Sequence, residues 1–232
     1  MAKIYKDRPL PKHTRLDYDE CYAKLVLETF CQGEFQNLII SDKPDLRTPD
    51  GKVGIEVTSA IPKLTQEAES LAAEIPYIDE KNQKKRIEYL RKIGFEYGEH
   101  CMTHPVESYC WSGFELPDVE KIGCKKFLDA VKRKIEKLNG GHYDLLEEYM
   151  LYVQSDLLIE DWMLKKLLNK LTAISKTTLS YTIIYLFALN GLFVFDIPHQ
   201  THMRLETDKR LLWGISGKAR DLVEEGEDFG SE

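Results

Sequence analysis

The chain has 232 residues, 43% of them apolar and 31% charged, with 14 glycines and 9 prolines. That balance excludes a disordered or fibrous chain and describes one large domain, or one domain carrying a sizeable insertion. Thirty-two basic residues against 39 acidic ones leave a formal charge of −7, which argues against a protein that coats nucleic acid or an anionic membrane over its whole surface but leaves room for one basic cleft.

The start, MAKIYKDRPLPKHTRLDYDE, is polar and lacks the apolar core of a secretory signal. From Asp17 to Cys31, apolar residues recur at helical spacing (Cys21, Tyr22, Leu25, Val26, Phe30) behind Asp17 as a cap, which predicts a helix. Phe35 to Ile40 predicts a strand, and Lys43 to Ala60 holds two short extended runs joined by Pro49-Asp50-Gly51, a hairpin. Residues 61–117 read as a helical insertion, patterned from Leu64 to about Gly94, broken at Pro76, then rich in loop residues.

A clearer helix is predicted from Pro117 to Leu138, ending at Asn139-Gly140-Gly141. Its apolar stripe calls for a sheet, which Tyr149 to Gln154 would supply. A helix over Asp161 to Ser175 and two buried strands around Asn190-Gly191 complete the pattern. Residues 224–232 form an acidic tail expected to fray. No run reaches the roughly 18 uncharged apolar residues of a membrane span. Five irregularly spaced cysteines argue against a disulfide framework and favour a reducing, cytoplasmic setting. The alternation of helices and short strands predicts an α/β sandwich.

Chemistry concentrates in the hairpin. If Asp50-Gly51 closes it, Asp45 and Glu56 stand on neighbouring strands about 5 Å apart and can aim both carboxylates at one point. Ile55 and Val57 take the apolar face, so Glu56 and Thr58 share the other. An acid between two β-branched apolar residues is costly unless paired or metal-bound. Asp45, Glu56 and the main-chain carbonyl of Val57 suit Mg²⁺, with Mn²⁺ as a substitute; such an ion activates water against a phosphodiester.

Pro44-Asp45, a hairpin-length gap, then Glu56-Val57-Thr58 resembles the PD-(D/E)xK nuclease superfamily, whose core is helix, three-strand meander, helix, strand. The likeness covers residues 17–60 and 117–154. It implies a restriction-endonuclease-like three-layer sandwich with a mixed central sheet, and Mg²⁺-dependent hydrolysis of DNA, as in restriction or phage defence. RNA in place of DNA and a homodimer stay open.

The departure is Thr58, where the pattern has a lysine that orients water and stabilises charge on the phosphate. Either the lysine has migrated, with Lys134 the first candidate and Lys126 the second, or cleavage is lost and a binding module remains. The resemblance also draws an acid from the first helix. Glu28, on a stripe with Cys21 and Leu25, is the first choice and Glu20 the alternative.

Basic residues gather on the Pro117–Leu138 helix, Lys126 and Arg133 among them, and in the insertion, Lys84 and Lys85 among them; these are the candidate nucleic-acid contacts. His100, Cys101, His104 and Cys110 do not have paired zinc spacing, and zinc is not expected. His199 and His202 read as loop residues rather than ligands.

Overall fold

The chain is described here from a computed structural model that covers residue 10, residues 14–95, residue 97, residues 119–141 and residues 143–225. The chain divides into two compact units, residues 14–60 with 118–232, and residues 1–13 with 61–117.

In the first unit, Asp17 caps helix α1 (Tyr18–Phe30), its carboxylate accepting from the Asp19 and Glu20 amides at 2.8 and 3.3 Å. Then come strands β1 (Ile39–Ile40), β2 (Leu46–Arg47) and β3 (Val53–Ser59), an antiparallel meander. The expected strand over 35–40 shortens to its last two residues. Asn37 takes a positive φ of 55°, and the Leu38 amide donates to Glu28 Oε1 at 2.7 Å. Phe35 and Leu38 are nonetheless buried.

Helix α4 (Val119–Leu138; α2 and α3 belong to the other unit) carries the chain across to β4 (Glu148–Gln154), which pairs parallel to β3. Helix α5 (Asp161–Ile174) leads to β5 (Ile183–Ala188), parallel to β4; β6 (Gly191–Asp196) and β7 (Thr201–Leu205) follow antiparallel, each to the strand before it. Among the described residues, seven strands lie in sequence order in one open mixed sheet. Helix α6 (Lys209–Glu225) closes the described chain and absorbs the start of the tail expected to fray; 226–232 lie outside the described residues.

Strand alternation puts a core on each face of the sheet. Leu151, Val153, Ile184 and Phe195 pack with Phe127, Val131 and Ile135 of α4 and Leu164, Leu167 and Leu171 of α5. Ile55, Val57, Met150 and Tyr152 face Ala23, Val26 and Leu27 of α1 and Ile215 of α6. The protein is thus α/β, with helices on both faces of a mixed sheet. Among the described residues, no helix is long and apolar enough to cross a membrane.

The second unit contains α2 (Lys63–Glu74), a 3₁₀ turn over Ile75–Tyr77 and α3 (Glu80–Lys92). Pro76 breaks the helix as its ring predicts. Ala68, Ala72, Ile75, Leu90 and Phe95 form the core, and Arg86 pairs with Glu74.

Candidate active site

The β2–β3 register pairs Leu46 with Ile55; carried one step further, it sets Asp45 opposite Glu56, so their side chains leave the same face of the sheet. β2 ends at Leu46 on that side, and the Asp45 carboxylate takes over from the missing strand. Its Oδ2 accepts the Val57 amide at 2.7 Å. Glu56 is fully buried, and by alternation it faces α4 instead of the α1 core filled by Ile55 and Val57.

A buried carboxylate demands a partner, and α4 provides it. Lys134 stands beside Val131, Ile135 and Leu138, which anchor the helix in the core. Tyr181 donates its hydroxyl to the Lys134 carbonyl at 3.2 Å and fixes the helix at that turn. The Lys134 ammonium lies 2.5 Å from Glu56 Oε2 and 3.6 Å from Asp45 Oδ2. Lys137, one turn on and half exposed, reaches Glu56 Oε2 at 3.9 Å.

Burial raises the Asp45 pKa first and the Glu56 charge raises it next, while Lys134 pulls it back. The same charges reach Glu20 in the first turn of α1. Burial, then Asp45, then Asp17, push its carboxyl up to about 7.

Glu28, expected as the helix-one acid, is committed elsewhere: Lys24 Nζ sits 3.1 Å from its Oε1, which also takes the Leu38 amide. Glu20 is the acid of α1 that the Asp45 and Glu56 charges reach. Among the described residues, no three His, Cys, Asp or Glu side chains cluster in a geometry to hold a metal ion.

Thr58 follows Glu56 on the same face, half-buried opposite Val153. Lys126 lies eight residues before Lys134, about 12 Å along the helix axis, and is half-buried, whereas Arg133 is exposed. Lys84 and Lys85 are exposed on α3 in the other unit, Lys84 paired with Glu80 at 2.8 Å. His100, Cys101, His104 and Cys110 fall outside the described residues. His199 pairs with Asp196 at 2.9 Å in a turn, but His202 is a residue of β7, not of a loop.

Sequence reasoning passed over Tyr143, whose pKa is raised by burial, then by the Glu56 charge and a hydrogen bond to the Glu56 carboxylate, then by the Asp45 charge. No motif marks it. Lys137 had a signal, since i and i+3 share a helix face with Lys134.

An α/β protein with an acid–lysine–acid cluster on one face of a mixed sheet is as far as fold and site define the class. The chain matches no protein-family model, no curated protein and no solved structure.

Proposed function

We propose that the protein is a Mg²⁺-dependent nuclease of the PD-(D/E)xK type, with the restriction-endonuclease-like version of the α/β sandwich, hydrolysing phosphodiester bonds in DNA. The observation that carries this reading is the Lys134 ammonium, 2.5 Å from Glu56 and 3.6 Å from Asp45. A lysine on α4 thus meets the same carboxylates that a lysine at position 58 would meet from the strand. The order α1, β1-β2-β3, α4, β4 agrees with the helix, meander, helix, strand core of that superfamily.

The donor set fits Mg²⁺, which accepts one or two carboxylates and keeps several waters. Asp45 and Glu56 would hold it. Glu56 is fully buried and its carboxylate is already met by the Lys134 ammonium, an acid held where a cation belongs. The Val57 peptide faces the β2 side, as its bond to Asp45 shows, and its carbonyl turns to the same open edge. Bound there, the ion supplies Lewis-acid polarisation of the phosphate and a water of lowered pKa. Lys134 orients the attacking water and offsets charge on the phosphoryl oxygens, and Glu20, poised near neutrality, accepts a proton.

The test is cleavage of linear, circular and single-stranded DNA by the purified chain with Mg²⁺ or Mn²⁺. Wild type is expected to cut, and Glu56→Gln and Lys134→Met to lose at least about 100-fold in rate. An inert wild type, or variants cutting at the wild-type rate, would sink the enzymatic reading. DNA binding without cleavage would favour the non-catalytic module that Thr58 suggests.

A further inference from the structure

The other face of the sheet carries a cavity that the acid–lysine–acid cluster does not touch. Tyr185 of β5 pairs with Val194 of β6, and Val194 with Met203 of β7. The three side chains therefore leave the sheet together, on the side of α1 and not of α4. With Ile183, and with Phe30 at the end of α1, they wall a cavity of about 380 Å³, a volume within the roughly 300–1,000 Å³ of small-molecule sites. Met203 is 57% exposed, and Ile183 and Val194 are half-buried, so apolar surface is left uncovered there.

The rim is acidic and firmly built. After α1 the chain turns at Cys31, whose carbonyl accepts the Glu34 and Phe35 amides at 3.1 and 3.2 Å. Phe35 is buried, its ring edge-on to Tyr185 at 5.9 Å and 69°, and the turn anchored in this way brings Glu34 to the tyrosine. The fully buried Tyr185 donates its hydroxyl to Glu34 Oε1 at 2.9 Å. One carboxylate oxygen is thereby fixed, and Oε2 is left to a ligand. Asp196 also lines the cavity, held by the His199 amide at 3.0 Å and the His199 ring at 2.9 Å. Among the described residues no lysine or arginine lines it, and the one histidine, His202, sets its ring against Phe195 in the core of the α4 face.

Apolar walls that end at a carboxylate with no facing cation call for a cation with an apolar body. A divalent metal ion is a poor occupant, because it keeps its waters and takes more oxygen ligands than Glu34 offers. An ammonium on a hydrocarbon or aromatic group suits both halves of the cavity: its nitrogen forms a charge-assisted hydrogen bond with the carboxylate, and its body covers Phe30, Val194 and Met203. We infer that this cavity binds a small primary ammonium carried on an apolar group, its nitrogen donating to Glu34. The site is independent of the nuclease reading, since Glu56 and Lys134 meet on the α4 face.

NMR titration of the wild-type chain with phenethylammonium, phenethyl alcohol and phenylacetate tests this. The ammonium is expected to bind with a Kd of about 1 mM or tighter, the alcohol of the same shape at least about tenfold more weakly, and the carboxylate not at all. Glu34→Gln keeps an acceptor for Tyr185 and removes the charge. It is expected to weaken the ammonium about tenfold while leaving the affinity for the alcohol and the melting temperature unchanged, a split that a loss of packing would not produce. A wild type that ignores the ammonium, or that takes the alcohol as tightly, overturns the inference, as does a Glu34→Gln protein that holds the ammonium as wild type does. Cleavage of DNA is not the readout, so failure here leaves the nuclease reading standing.

Discussion

Glu20 shows how one residue reports on the charges around it. In the unfolded chain its carboxyl titrates near 4.5, and in the fold near 7, because burial and the Asp45 and Asp17 charges outweigh the pull of Lys134. The folded state therefore binds that proton more tightly than the unfolded one. Its contribution to stability is fully present below about pH 4.5 and is lost as pH rises through about 7. Glu20→Gln cannot ionise and escapes that loss. In metal-free buffer the variant should match wild type at pH 4.5 and exceed it at pH 8 by about 1 kcal/mol, allowing for solvent screening of a half-buried group, or roughly 2–4 °C in melting temperature. Thermal melts at the two pH values check this, and an advantage that does not grow with pH would show that Glu20 does not feel the acid pair. Helical periodicity brought both Glu20 and Glu28 into view but did not choose between them. Eight residues turn the helix by about 80° and advance it about 12 Å, and only the loop fold that brings the Leu38 amide to Glu28 decides which acid is spent. Lys134 was legible for the opposite reason, since it borders an apolar stripe that must lie on the sheet.

At the scale of elements, the hairpin sets the spacing of the acids, and Gly54 lets it close. A Cβ at Gly54 would lie 2.4 Å from Pro44 Cγ and 2.5 Å from Leu146 Cδ1. Leu146 can rotate, but the Pro44 ring cannot turn aside without moving its neighbour Asp45. Gly54→Ala is expected to cost about 1–3 kcal/mol and to lower cleavage along with stability, whereas Gly214→Ala on α6, where a Cβ meets nothing within 4 Å, should be neutral or mildly stabilising. Urea unfolding of the two variants separates these outcomes, and equal stabilities would remove the steric argument. The helices α1, α4 and α5, each with an apolar stripe, could be read from periodicity, and β3 and β4, buried on both faces, from short apolar runs bounded by turns. β7 could not, because Thr201 to Arg204 are exposed and leave no alternation to detect. α6 was passed over although Leu212, Ile215, Ala219 and Val223 hold helical spacing.

For the molecule as a whole, the charge of −7 need not oppose DNA binding. Beyond about 10 Å in 0.1 M salt, exposed charges are largely screened, so an approaching phosphate feels the local face and not the sum. Asp45 and Glu56 are turned inward against Lys134, while Lys125, Lys132, Arg133 and Lys137 of α4 stand exposed. A protein that binds through such a face should lose affinity linearly in log–log plots against salt, with a slope near −0.9 for each phosphate neutralised. Arg133→Ala and Lys126→Ala should each flatten that slope by about 1 and weaken binding to unrelated sequences alike. Lys84→Ala and Lys85→Ala ask the same of the other unit: a flattened slope assigns α3 to the interface, and an unchanged one confines it to α4. Fluorescence titrations of a labelled duplex from 50 to 200 mM salt, on the order of the range where such effects are largest, measure all four. Should Arg133→Ala and Lys126→Ala leave the slope untouched, α4 would be a solvated helix and the phosphates would have to be met elsewhere on the surface.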